Sequence, residues 1–180
     1  MNIAISQTQT NINGVVYDCL DPQWYNFLYT HNLIPIPNII DVDFNADMLI
    51  LTGGENTTDR LATESALFNI ALEKNIPILG ICRGAFVLNE YYNGMNRLIQ
   101  GHSKTEHVIE MEDQLFTVNS FHSASMYLVG DDIEIIATAD VCIEAFKHRH
   151  LPIWGLSWHP ERMIDPVLPS DLRELIYNEL

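Results

Sequence analysis

The sequence predicts an α/β fold whose central sheet is largely parallel. Three observations carry that expectation. Short apolar runs alternate with stretches of helical spacing through the first half, strand-like runs fill the second half, and Gly53-Gly54, Cys82 and His159 fall where such strands would end. Open α/β sheets gather their reactive groups at the carboxyl ends of strands.

Taken in order, residues 2–6 form an apolar run suited to a buried strand, and residues 22–31 carry Trp24, Phe27 and Leu28 at helical spacing. Residues 47–52 are apolar and run into Gly53-Gly54. Asn56, Thr57 and Thr58 have cap-forming side chains, so a helix is expected to open there and reach about residue 73, with Leu61, Phe68, Ala71 and Leu72 along its buried stripe. Residues 76–79 are a second buried-strand run, followed by Gly80-Ile81-Cys82-Arg83-Gly84 and a helix that Asn93-Gly94 ends. Strands are expected over 107–111, 114–119, 133–138, 142–146 and 153–158. A terminal helix is expected over 170–178, with Pro169 before it and acids in its first turn.

The 180 residues suit one domain, about 150 being usual, and no linker, repeat or low-complexity tract divides them, so one unit over 1–180 is expected. With 47% apolar and 18% charged residues the chain fits neither disorder nor a coiled coil. Asp plus Glu number 24 against 9 Lys plus Arg, a net charge of −15. A surface so acidic repels nucleic-acid backbones and anionic lipid, which argues against both as partners. The first basic residue is Arg60, so neither a secretory nor a mitochondrial leader is expected. No apolar run approaches the roughly 18 residues that span a bilayer. Cys19, Cys82 and Cys142 are an odd and scattered set without Cys-x-x-Cys, which fits reduced thiols in a cytoplasmic protein.

Three motifs carry candidate chemistry. Gly80-x-Cys82-x-Gly84 follows a strand run and precedes a helix, the setting of a nucleophile elbow. Such a turn sets the sulfur at a helix N-terminus, where the dipole, and the Arg83 side chain if it turns that way, favour thiolate. The alternative is a structural Cys buried in a tight turn. In Trp158-His159-Pro160-Glu161, residues two apart project to one side of an extended chain, so Glu161 can orient His159 toward Cys82. The alternative is a strand-end His in a proline turn. Thr52-Gly53-Gly54-Glu55 lets the chain approach a ligand, and the Gly54 and Arg83 amides could form an oxyanion hole; the alternative is an ordinary turn.

Together these residues resemble the class I glutamine amidotransferase-like family over about residues 47–161. The resemblance rests on Gly53-Gly54, on Pro77-Ile78-Leu79-Gly80-Ile81-Cys82-Arg83-Gly84, and on Val118-Asn119-Ser120-x-His122. Ile143-Glu144-Ala145 and Gly155-x-x-Trp158-His159-Pro160-Glu161 complete it. Arg83 after the cysteine, with Arg60 and Glu64 upstream, is similar to the free-standing γ-glutamyl hydrolase branch. The resemblance implies a flavodoxin-like three-layer sandwich and a Cys82-His159-Glu161 triad that cleaves a γ-glutamyl amide through a thioester. It also implies substrate contacts from Glu55, Phe86, Ser120, Phe121, His122, Ser123 and Ala124. Two positions depart from the family: Phe86 stands where Gln is common, and Ser123-Ala124 where the hydrolase branch tends to have His-Gln. With a short 54–60 loop, these point away from free glutamine and toward a conjugate with a bulky leaving group.

Other polar clusters read as structural. His148-Arg149-His150 has no partner ligand at metal spacing and reads as a polar turn. His102 and His107 read as partnerless loop or strand-edge residues, Glu144 as a site-lining or strand-edge acid, and His122 as either pocket wall or structural. Cys19 and Cys142 are expected to pack as small apolar groups. One ring each of Trp24-Tyr25 and Tyr91-Tyr92 is expected to face the core. With no phosphate-cradling glycine motif, no cofactor and no metal is expected. The leading functional expectation is a γ-glutamyl amide hydrolase releasing glutamate from a polyamine, amino-acid or nucleotide-linked conjugate, in catabolism or in biosynthesis such as capsule modification. The alternatives are a glutaminase subunit feeding ammonia to a separate synthase, which would require a partner chain, and a non-catalytic or chaperone-like relative.

Overall fold

The computed structural model describes residues 1–39, 41–140 and 142–177. The chain opens with β1 (Asn2–Ser6), a hairpin of β2 (Thr8–Ile12) and β3 (Val15–Cys19), and α1 (Gln23–Phe27). It continues through β4 (Asn32–Ile36), β5 (Met48–Leu51), α2 (Thr58–Glu73), β6 (Ile78–Ile81) and α3 (Arg83–Tyr91). Then come β7 (Met95–Leu98), β8 (Ser103–Met111), β9 (Gln114–Phe121), β10 (Ala124–Leu128), β11 (Ile133–Ala139), β12 (Cys142–His148) and β13 (Ile153–Leu156). A 3₁₀ turn (Pro160–Arg162) and α4 (Ser170–Tyr177) follow. Asn178, included in the expected terminal helix, lies outside the described residues.

The parallel strands lie side by side in the order β4-β1-β5-β6-β13. Counted among themselves they run 2-1-3-4-5, the flavodoxin-like order. An antiparallel extension, β12-β11-β8-β9, continues the sheet from β13, and β10 bridges β12 to β7. Side chains alternate between two cores, as the two-residue period of a strand requires. Ile3, Ile5, Met48, Ile50, Leu79 and Ile81 pack with Trp24, Phe27, Leu172 and Ile176 of α1 and α4. Ala4, Leu49, Leu51 and Ile78 pack with Leu67, Phe68, Ala71, Ala85 and Leu88 of α2 and α3. The result is the three-layer α/β sandwich expected.

Several local expectations need correction. The helix expected over 22–31 stops at Phe27, because the chain must turn to bring β4 alongside β1; His31 then anchors through Nε2 to the Ile176 carbonyl at 2.8 Å. In α2, Thr57 caps the helix by accepting from the Arg60 amide, but Leu61 and Leu72 are exposed. The buried stripe instead holds Arg60, Glu64, Leu67, Phe68 and Ala71, since two opposite charges that neutralise one another can occupy it. Strands β2, β3, β4, β7 and β10 lie beyond what the apolar pattern predicts. The hairpin has Asn13-Gly14 at its tip, both with positive φ, the turn chemistry that tight hairpins favour.

Candidate active site

The site is assembled at the carboxyl ends of β5, β6 and β13. Cys82 leaves β6 with φ 51° and ψ −109° and stands at the N-cap of α3. Its amide donates to the Leu156 carbonyl of β13 at 2.7 Å, which ties the turn to the neighbouring strand. A Cβ on Gly84 would lie 2.1 Å from the Leu51 carbonyl oxygen, so only glycine lets α3 start against β5. The sequence therefore builds an elbow by close packing on one side and backbone strain on the other.

His159 follows β13, the parallel neighbour of β6, so two adjacent strand ends bring it to Cys82. Its Nδ1 lies 2.6 Å from Glu161 Oε1. Asn119 brackets its backbone, accepting from the His159 amide at 2.9 Å and donating to its carbonyl at 2.8 Å. No spacing rule predicts that positioning contact, although Asn119 belongs to the Val118-Asn119-Ser120-x-His122 motif. Cys82, His159 and Glu161 are 7%, 4% and 6% exposed. Burial opposes charge on His159, but hydrogen bonding to Cys82 and Glu161 and their negative charge outweigh it, raising its pKa to about 9. A Cβ on Gly53 would lie 2.7 Å from His159 Cε1 and 3.3 Å from Cys82 Cβ, so this backbone closes directly over the pair.

Beneath the glycines lies a buried ionic group at the point where the sheet order reverses between β1 and β5. Glu64 accepts from Arg60 Nε at 3.0 Å, from the Ser6 hydroxyl at 2.8 Å and from Arg83 Nη1. Arg60 also donates to the Thr52 carbonyl at 2.7 Å and the Glu55 carbonyl at 3.2 Å, pinning the Gly53-Gly54 loop from below. Arg83 Nε donates to Asn56 Oδ1 at 2.5 Å. The Arg83 side chain is thus engaged with Glu64 and Asn56 instead of the sulfur, a correction to one of the two thiolate-favouring influences expected.

A cleft of about 410 Å³ opens over the sulfur. Gly54, Glu55, Arg83, Phe86, Phe121, His122, Ser123 and Ala124 line it, together with Asn56 and Arg162. Arg162 packs over the Phe121 ring and pairs with Asp21 at 3.4 Å. Ser120 is not in this wall: it is fully buried and its hydroxyl donates to the His102 carbonyl. Its place on β9 turns it to the opposite side of the strand from Asn119 and Phe121.

Behind the wall, the expectation that His102 and His107 lack partners is overturned. Both face the Glu144 carboxylate, at 3.8 and 3.5 Å, and His122 faces it at 3.5 Å. Glu144 is neither cleft-lining nor on a sheet edge: β12 is an inner strand and Glu144 is fully buried, accepting from the Ser157 hydroxyl. Burial disfavours its charge, yet the surrounding His107 and His122 rings and Ser157 lower its pKa to about 2. Cys142 is buried as expected, but with its sulfur 4.0 Å from His102 Nε2 instead of in a purely apolar setting. Cys19 is half-buried. In the His148-Arg149-His150 turn, His148 Nδ1 accepts from the His150 and Leu151 amides, both at 3.1 Å. Trp24 is buried and Tyr25 half exposed; Tyr91 and Tyr92 both pack on Phe68.

Residues 23–175 match the family model described as glutamine amidotransferase class-I. A gamma-glutamyl-CDP-amidate hydrolase of Campylobacter jejuni is 32% identical over 163 residues, 81% of this chain and 81% of that protein. A subunit of the glutamine-hydrolyzing GMP synthase of Methanococcus vannielii is 29% identical over 136 residues, 69% of this chain and 70% of that one. Among solved structures, a putative GMP synthase subunit from Thermoplasma acidophilum superposes with TM-score 0.72 at 19% identity, covering 99% of this chain and 90% of that one. A glutamine amidotransferase from Thermotoga maritima gives 0.71 at 17%, covering 89% and 76%. Among the described residues no helix is long and apolar enough to cross a membrane.

Proposed function

The chain belongs to the glutamine amidotransferase class-I family, and on that premise we propose that it hydrolyses the γ-glutamyl amide bond of a small conjugate, releasing glutamate. The observation that carries this reading is the row Cys82–His159–Glu161 opening onto a cleft of about 410 Å³. Cys82 supplies the nucleophile: its thiolate attacks the γ-carbonyl carbon, and the negative charge moves to the carbonyl oxygen, which the Gly54 and Arg83 amides receive. His159, held protonated by its neighbours, gives its proton to the departing nitrogen as the C–N bond breaks, leaving a γ-glutamyl thioester on Cys82 and a neutral imidazole. That imidazole takes a proton from water as the water oxygen attacks the thioester; the C–S bond breaks, glutamate leaves and the thiolate–imidazolium pair returns. Glu161 holds the ring through Nδ1 in both halves.

Phe86, Phe121, His122, Ser123 and Ala124 form the wall on which the conjugate rests. Phe86 offers an apolar face where the family commonly presents a glutamine amide, which favours a larger ligand over free glutamine. The Campylobacter jejuni relative's name, together with the partly exposed Arg162 at the cleft, supports an amidate with a nucleotide-linked leaving group. The test is glutamate release by purified protein from γ-glutamyl amidates of nucleotides, polyamines and amino acids, and from glutamine. A conjugate is expected to exceed glutamine in kcat/KM by at least about tenfold, with Cys82→Ala reducing turnover by at least about 10³-fold. Equal or better use of glutamine overturns the conjugate reading. Glutamine turnover that is negligible alone but rises on adding a synthase would instead establish a glutaminase subunit, the reading that the GMP synthase relatives support.

A further inference from the structure

We propose that the buried cluster behind the cleft wall binds one zinc-type divalent metal ion, held by His102, Cys142 and Glu144 with His107 as a fourth ligand. The groups come from separated segments: His102 and His107 from the approach to and body of β8, and Cys142 and Glu144 from β12. One ligand atom from each of His102, Cys142 and Glu144 lies within 4.8 Å of the others.

Unpaired polar atoms single this place out. His102 Nδ1, both ring nitrogens of His107, His122 Nε2 and Glu144 Oε1 are buried and, among the described residues, have no partner at hydrogen-bond distance. Buried polar groups are nearly always paired, and a buried carboxylate most of all. Five unpaired atoms around one carboxylate therefore call for a common partner. The separations fit one. One ligand atom each of His102, Cys142 and Glu144 lies within 4.8 Å of the others, and His107 Nε2 stands 3.5 Å from Glu144 Oε1. His102 turns Nδ1 toward Glu144 at 3.8 Å and Nε2 toward Cys142 Sγ at 4.0 Å, so its ring would turn to offer the ion one nitrogen. These are long for hydrogen bonds. Zinc bonds of about 2.0–2.3 Å in a tetrahedron put ligand atoms about 3.3–3.7 Å apart, so small side-chain adjustments would bring the donors together. A mixed imidazole, thiolate and carboxylate set suits a borderline ion such as zinc better than magnesium or calcium.

His122 adds an independent sign. Its Nδ1 lies 2.7 Å from the Ala124 carbonyl, which can only accept, so the proton is on Nδ1. Its Nε2 stands 3.5 Å from a Glu144 oxygen, on the far side of that carboxylate from His102 and His107. A ring whose second nitrogen donates to a backbone carbonyl is also the usual arrangement around a metal. His122 lines the cleft as well, so the ion would brace the 121–124 wall from behind.

The test uses the full chain, stripped with a chelator and titrated with Co²⁺, reading the thiolate-to-cobalt charge-transfer absorption. One equivalent per chain is expected, with the band retained in Cys82→Ser, lost in Cys142→Ser, and Co²⁺ bound about 100-fold more weakly by His102→Ala or His107→Ala. Absence of the band, saturation well below one equivalent, or loss of the band in Cys82→Ser overturns the proposal. Should Cys142→Ser fail to fold, the wild-type titration and its persistence in Cys82→Ser decide alone. No substrate enters the measurement, so its failure leaves the hydrolase reading untouched.

Discussion

Cys82 holds a backbone conformation that a side chain resists. Positive-φ positions of this kind cost on the order of 1–3 kcal/mol and persist where the surroundings over-determine them. Here the Leu156 hydrogen bond and the Gly84 contact do so. Comparing Cys82→Gly with Cys82→Ala isolates that strain, since both lack sulfur: the glycine variant should be more stable by about 1 kcal/mol in urea denaturation. Equal midpoints would mean the elbow stores none. The raised pKa of His159 has its own signature. About 9 lies above the roughly 6.5 of an unfolded chain, so the folded state holds the extra proton between those values. Its contribution to stability is complete below about pH 6.5 and fades as pH climbs through about 9. From pH 6.5 to 9 the wild-type midpoint should therefore fall more than that of His159→Asn, and kcat/KM should drop above about pH 9 as the proton that the proposed mechanism hands to the leaving nitrogen is lost. Parallel midpoint profiles would remove the ion pair from the site.

Helix α2 illustrates what an element does for a site it does not enter. Its first two turns place Arg60 and Glu64 under the Gly53-Gly54 loop and against Arg83 of the elbow helix, with Arg60 and Glu64 fully buried. Removing the shared carboxylate leaves two buried guanidiniums facing each other, so Glu64→Gln should destabilise by about 3–5 kcal/mol, read as a lowered urea midpoint. A loss below 1 kcal/mol would show that the arginines find other partners. This helix also shows where a sequence stops being legible. Its cap at Thr57 and its length follow from local chemistry, and so do β1, β5, β6, β12 and β13, whose apolar runs announce burial. Its inward stripe does not, because the pairing of Arg60 with Glu64 and Arg83 is a tertiary fact. Strands β7 and β10 carry mostly polar or exposed side chains, and pairing makes them strands: β7 with β10, and β10 with β12 as well. The elbow, Gly53-Gly54 and His159 with Glu161 are legible because each is a contiguous signal. The Glu144 cluster is not: its members lie at 102, 107, 122, 142 and 144, drawn from the approach to β8, β8 itself, the turn after β9, and β12, and no spacing rule connects them.

At the scale of the whole molecule the governing quantity is the charge of −15. Arg60 and Arg83 are spent internally, which leaves few cations on the surface to offset the acids. Repulsion among them is screened over about 10 Å at 0.1 M salt. The thermal midpoint should therefore rise by a few degrees between 10 mM and 300 mM NaCl; a fall would mean that surface ion pairs outweigh the repulsion. The chain path has another consequence. Between the end of α3 and the start of β13 the polypeptide leaves the parallel sheet, builds the antiparallel extension, and returns to the strand beside its point of departure. Cys82 precedes that detour by the length of α3 and His159 follows it by the length of β13, while Phe121, His122, Ser123 and Ala124 ride on it. Evolution can thus redraft the detour to suit a new ligand while the pair we propose as nucleophile and acid stays where two neighbouring strands put it, and exchanging this stretch with a relative's would graft ligand preference without moving that pair.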